Sequence, residues 1–240
     1  MLVEVCANSL ESALNAQEAG ADRIELCSEL GVGGITPSAG LITLVKKALK
    51  IPVHVLIRPR GGHFTYTDAE FRTMKQDIEV CKDLGVEGIV SGVLLPDFEL
   101  DVDRTRELIN VSRPMRFTFH RAFDCVPSPK KSFGQLEAMG VDYVLTSGQE
   151  TSSEIGLELL KELNSASKGV KVMAGGGIKL GNAEQFKSAG LTAIHLSGTS
   201  FGNNIALESK ISMNSNTHLR EDQVAVTNLE TVRQIVRRVK

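Results

Sequence analysis

The chain has 240 residues, of which 42% are hydrophobic and 23% charged, and a net charge of −2. That length buries enough surface to fold without disulfide or metal staples, as one large domain or two small ones. The scattered, nearly balanced charges argue against nucleic-acid binding by charge alone, and no apolar run approaches the roughly 18 residues of a membrane span.

Short apolar runs alternate with longer amphipathic stretches. Leu2 to Cys6 reads as a strand. Ser9 then caps a helix from Ser12 to Ala19, which Gly20 stops. Arg23 to Cys27 is the second strand, and a glycine-rich loop, Gly31 to Pro37, leads to a helix over Ser38 to Leu49. Pro52 to Ile57 is the third strand, and after Arg58-Pro59-Arg60-Gly61-Gly62 a helix runs from Thr67 or Asp68 to Leu84. Gly88 to Ser91, Met115 to His120, Tyr143 to Thr146, Val170 to Ala174 and Ala193 to Leu196 are further strands. Helices follow them from Asp101 or Asp103 to Val111, from Pro129 to Met139, from Ser152 or Ser153 to Ala166, from Asn182 to Ser188 and from Leu229 to Val239.

Strands alternating with helices imply parallel strands joined by helical crossovers. Eight such units in this length predict an α/β fold, a single-domain TIM (β/α)8 barrel over residues 1–240, with an open doubly-wound sheet as the alternative. A long polar segment at about 201–226 breaks the rhythm and reads as a lid, a subunit contact or disorder. The basic residues Arg233, Arg237, Arg238 and Lys240 lie on the last helix and read as a solvated face. The first strand begins at Leu2 with no leader before it, and the four cysteines lack zinc-type CxxC spacing. Free thiols in a reducing compartment are therefore expected.

In such barrels the chemistry lies at the carboxyl ends of the strands. The pattern apolar-Glu-apolar-Cys occurs twice, as Val3-Glu4-Val5-Cys6 and as Ile24-Glu25-Leu26-Cys27. Alternation along a strand puts Glu4 with Cys6 on one face, and Glu25 with Cys27 on one face. Carboxylates facing into a barrel need partners. Arg58 and Arg116 are the expected ones, and a purely structural ion-pair network is the competing reading. With equal register the two sulfurs would meet, and two thiolates suit copper(I) better than a hard cation. The alternative is that both cysteines act as small buried hydrophobes, as expected for Cys81. Cys125 follows strand five and is within reach of the same mouth.

His120 ends a strand beside Arg121 and Asp124, so His120, Asp124, Glu4 and Glu25 are candidate proton-transfer groups. His195 is placed similarly, whereas His54 reads as a core histidine. Gly175-Gly176-Gly177 after strand seven and Gly198-Thr199 after strand eight occupy the loops that often hold a phosphate in this fold. With Arg58 and Arg60 they form the candidate anion site; tight turns without a ligand are the alternative reading. No lysine ends a strand, which argues against a Schiff-base aldolase.

Several stretches resemble the CutC copper homeostasis family. They are Glu4-Val5-Cys6, Ala21 to Cys27, Gly33 to Ser38, Ile57 to Gly62, Thr118 to Asp124, Leu145 to Gly148 and Gly175 to Ile178. The resemblance implies a TIM barrel, a cytoplasmic homo-oligomer, a role in copper tolerance or trafficking, and copper(I) bound through Cys6 and Cys27. Two functions are therefore expected to compete: a copper(I)-binding barrel, or an enzyme acting on a small anionic or phosphorylated metabolite.

Overall fold

The structure is a computed structural model that describes residues 1–202 and 223–240. Its strands are β1 (Leu2–Ala7), β2 (Arg23–Leu26), β3 (Val53–Leu56), β4 (Gly88–Ser91), β5 (Arg116–Phe119), β6 (Tyr143–Thr146), β7 (Lys171–Gly175) and β8 (Ala193–Leu196). They run parallel and close into a barrel in chain order, β8 pairing with β1. The helices α1 (Leu10–Glu18), α2 (Ala39–Ala48), α3 (Asp68–Asp83), α4 (Val102–Ser112), α5 (Pro129–Ala138), α6 (Leu157–Ala166), α7 (Ala183–Ser188) and α8 (Leu229–Val239) wrap the outside. This is the TIM barrel that the strand–helix alternation predicts.

Local chemistry sets the helix limits. The hydroxyls of Ser9 and Ser38 accept from the amides of Ser12 and Leu41, which starts α1 and α2. Thr67 and Glu70 form a reciprocal capping box at α3, which satisfies two amides that the helix leaves without partners. Gly20 and Gly85 follow α1 and α3 with φ of +89° and +70°, a conformation that ends a helix at little cost only for glycine.

Two expectations change. The sixth helix starts at Leu157, not at Ser152 or Ser153. Ser153 instead donates from both its amide and its hydroxyl to the Gly176 carbonyl, which holds that stretch against the β7 loop. The segment expected to be irregular at about 201–226 begins and ends in an antiparallel pair, β9 (Thr199–Gly202) with β10 (Val224–Thr227). Its middle, 203–222, lies outside the described residues.

The main core lies between the outward strand faces and the helices. Ile24, Ile89, Phe117, Val144, Val172 and Ile194 meet Ala13, Met74, Leu108, Leu136, Leu160 and Phe186 there. Each fully buried aliphatic or aromatic side chain contributes about 1.5–3 kcal/mol. The barrel interior is different. It holds two smaller apolar clusters, Cys6-Cys27-Leu56-Val90 and Tyr143-Leu145-Met173-Ala193, with buried Glu4, Arg23, Glu25, His54 and Thr118 among them. The basic face of α8 is solvated: Arg233 pairs with Glu18 and Glu230, Arg238 with Glu184 and Lys240 with Asp22.

Candidate functional site at the barrel mouth

The two Glu-apolar-Cys copies sit side by side on β1 and β2, but not in equal register. Glu4 lies opposite Arg23, and Cys6 lies opposite Glu25. Cys27 is therefore two residues further toward the carboxyl end than Cys6. The sulfurs still touch, with Cys6 Sγ 3.4 Å from Cys27 Sγ. Side chains on tilted, twisted strands approach diagonally as well as directly across.

That stagger gives the two glutamates different neighbours. Glu4 is fully buried and accepts from Arg23 Nε at 2.5 Å, while its other oxygen is 2.8 Å from His195 Nδ1. Arg23 stacks over the Tyr143 ring, 4.0 Å from its centroid. The expected partners Arg58 and Arg116 are not used. Arg23 lies directly across the ladder from Glu4, Arg58 bonds to loop carbonyls, and Arg116 is exposed. Burial would raise the Glu4 carboxyl, but Arg23 and then the His195 hydrogen bond outweigh it and hold it well below the usual carboxylate range.

Glu25 lacks such support. Its Oε2 is buried without a hydrogen-bond partner and lies 3.9 Å from His195 Nδ1. Burial pushes this carboxyl up to about 7, with His195 opposing the rise and Glu4 reinforcing it. His195 itself is raised: burial lowers it, and Glu25 and Glu4 more than compensate. The Cys6 thiol is raised by its hydrogen bond with Cys27, then by burial and the neighbouring carboxylates. Cys6, Glu25 and His195 bring one sulfur, one oxygen and one nitrogen within 4.8 Å of one another, a spacing that can hold a metal ion.

These groups open on a cavity of about 550 Å³ at the carboxyl ends of the strands, lined also by Arg58, Phe64, His120, Arg121, Gly176 and Gly177. A cavity of this size at this end is where ligands bind in the fold. A smaller cleft of about 210 Å³, at Arg116, Asp142 and Lys171, lies at the opposite end. His120 packs tightly under the cavity: a Cβ added at Gly92 would fall 2.6 Å from its Nδ1. Nδ1 accepts from the Ala122 amide at 3.2 Å, which assigns the ring proton to Nε2. Burial, then Arg58, lowers this imidazole to about 3, so it is neutral.

The family model of the CutC family matches residues 1–200. This chain belongs to the CutC family. The CutC protein of Photorhabdus laumondii is 45% identical over 197 residues, covering 82% of this chain and 79% of that protein. That of Pectobacterium atrosepticum is 42% identical over 221 residues, covering 91% and 88%. The crystal structure of the copper homeostasis protein CutC from Streptococcus agalactiae superposes with a TM-score of 0.78 at 33% identity, covering 82% of this chain and 98% of that one. Thiamine phosphate pyrophosphorylase from Pyrococcus furiosus, with a TM-score of 0.63 at 16% identity, shares the fold alone.

Within this CutC chain the candidate residues divide into three groups. Cys6, Glu25, Arg58, His120, Asp124, Gly176 and Gly177 border the cavity. Glu4 and Cys27 are fully enclosed behind that wall, and a Cβ at Gly175 would meet Leu145 at 2.4 Å. Arg60, Gly198 and Thr199 lie elsewhere. Arg60 pairs with Glu70 at 2.6 Å, Gly198 accepts from the Asn228 amide, and Thr199 belongs to β9.

Asp124 reaches the cavity with a saturated carboxylate. It accepts from Arg121 Nε and from the amides and hydroxyls of the Thr146–Gln149 turn, so its visible role is to brace that loop. Arg23 gains an importance that sequence reasoning did not assign to the site, whereas His195 and Arg121 were expected at strand ends without their partners. Strand parity places His195 with Ser197 at a strand end, which was a usable signal. The pairing of Arg23 with Glu4 needed the register.

Proposed function

We propose that this chain serves copper homeostasis by binding copper(I) through Cys6 and Cys27 at the barrel mouth, as a cytoplasmic protein that buffers or moves the ion. The observation that carries this reading is the 3.4 Å contact between the two sulfurs. A soft, paired thiol donor set suits copper(I). Glu25 and His195 stand beside Cys6 as the polar groups nearest the thiol that must lose its proton on binding.

The sulfur separation is shorter than the roughly 4.6 Å of a linear pair, twice a metal–sulfur length of about 2.3 Å. Cys6, which borders the cavity, is the ligand that has to give. All four cysteines are free thiols, as a reducing compartment requires. Assembly into a homo-oligomer belongs to the same proposal, and light scattering tests it.

The decisive experiment is an anaerobic titration with copper(I) against a competing chelator. Wild type is expected to bind one ion per pair of thiols and to release protons as it does so. The Cys6→Ser, Cys27→Ser double variant is expected to lose that binding. If the double variant binds as tightly as wild type, the reading fails.

A further inference from the structure

We propose that the cavity also carries an oxyanion site, formed by Arg58 Nε–H and His120 Nε2–H, that takes the carboxylate or phosphate group of a small metabolite. Two buried arginines carry the contrast. Arg23 has the Glu4 carboxylate against it. Arg58 is 5% exposed and, among the described residues, has no carboxylate partner. Its Nη1 donates to the carbonyls of Val32 and Gly34 at 2.8 Å each, and its Nη2 to that of Gly62 at 2.7 Å. These are neutral acceptors. They staple two loops together and leave the positive charge uncompensated, and a buried guanidinium without a counter-charge is costly.

Of the two Arg58 N–H groups left over, one on Nη2 and one on Nε, Nε is buried without a partner, and so is His120 Nε2; the neutral Tyr66 hydroxyl lies beside the guanidinium and supplies no counter-charge. His120 is 6% exposed, and both residues line the same cavity. Phe64 links them. Its ring centroid is 5.0 Å from the Arg58 guanidinium carbon and 4.8 Å from the His120 ring centroid. Two N–H groups, one of them on a cation, therefore belong to side chains that line one cavity and have no hydrogen-bond partner among the described residues. An oxyanion supplies both the acceptor atoms and the negative charge.

The cavity is larger than a bare ion requires, which points to a small organic anion. Arg121 also lines it. Its Nε and Nη2 are held by Asp124 and Ser147, and its Nη1 lies beside Gly176. The site does not depend on the sulfur pair. It draws on residues that follow β3 and β5, not on Cys6 and Cys27.

The test uses the copper-free full chain, so its outcome is separate from that of the copper titration. Inorganic phosphate and malonate are titrated in turn at constant ionic strength, with chloride as the control. Nitrogen-15 NMR reads Arg58 Nε and His120 Nε2 directly. Saturable shifts of both signals with at least one of the two anions are expected, and the anion that binds more tightly identifies the head group. His120→Phe, which keeps a ring in the slot over Gly92, is expected to weaken binding by about tenfold, the loss of one charge-assisted hydrogen bond. Its backbone spectrum checks the fold. Arg58→Lys, which keeps the charge without the Nε–H, is expected to weaken it at least as much. The proposal is overturned if neither signal moves with either anion, if chloride produces the same shifts, or if His120→Phe binds as tightly as wild type.

Discussion

The two copies of the Glu-apolar-Cys pattern are nearly identical in sequence and opposite in situation. On β1, Glu4 is enclosed, paired with Arg23 and His195, and ionised. On β2, Glu25 borders the cavity with one unpartnered oxygen and a carboxyl pushed up to about 7. The cysteines invert the order, because Cys27 is fully buried and Cys6 borders the cavity. A two-residue stagger between neighbouring strands produces all of this. The same four residues can close an ion pair or line a mouth, depending on the height at which the barrel holds them.

The largest expected effect comes from breaking the closed copy. Glu4→Gln leaves Arg23 buried beside a neutral partner and is expected to lower stability by about 3–5 kcal/mol. Glu25→Gln is expected to stay within about 1 kcal/mol of wild type at pH 7, since it removes no protein hydrogen bond at Oε2. Urea unfolding of the two variants measures the gap, and equal losses would erase the distinction between the copies.

Next in size is the pH dependence of copper-free protein. Glu4 is depressed in the fold, so its contribution is present above the ordinary value of 4.5 and is lost as pH falls below it. Glu25 is raised. Between 4.5 and about 7 the folded state holds a proton that the unfolded state has released, so stability falls as pH rises through that window. His195, raised above 6.5, acts in the same direction: its contribution is present below 6.5 and lost as pH rises through the folded value. Unfolding free energies from pH 4 to 8 should therefore decline toward neutrality in wild type and decline less in Glu25→Gln. A flat difference between the two proteins would remove the asymmetry.

A third test concerns packing above the pair. Gly92→Ala puts a methyl 2.6 Å from the His120 ring, and the resulting overpacking is expected to cost about 1–3 kcal/mol. Thermal unfolding reads this, and the shifted ring should also disturb the cavity. The smallest effects belong to the thiols. Cys27→Ser buries a hydroxyl fully and is expected to cost about 1–2 kcal/mol, with Cys6→Ser costing about half as much at the cavity edge. If Cys6→Ser is the costlier of the two, the assignment of Cys6 to the open side is wrong.

Much of the fold was legible because its signals are local. Apolar runs of strand length, serine and threonine caps, and glycines such as Gly20 and Gly85 after helices each act over a few residues. The misplaced start of α6 shows where local reasoning stopped: Ser152 and Ser153 look like caps, but the Gly176 carbonyl of the neighbouring β7 loop claims Ser153. The pairing of β9 with β10 spans about twenty intervening residues and left no local trace. Within the site, the placement of Cys6, Glu25, Arg58 and His120 at strand ends followed from parity and position. The roles of Arg23 and His195 did not, because their partners come from other strands.

By itself the sequence determined the eight strand–helix units, and with them the end of the barrel at which polar side chains collect. Side-chain alternation and helix periodicity are properties of the chain alone, so they survive without knowledge of neighbours. Only the tertiary structure decided which carboxylate is closed and which is open, which arginine has a counter-charge, and that two cysteines staggered by two residues touch. Those outcomes depend on strand register and tilt, which are set when the barrel closes.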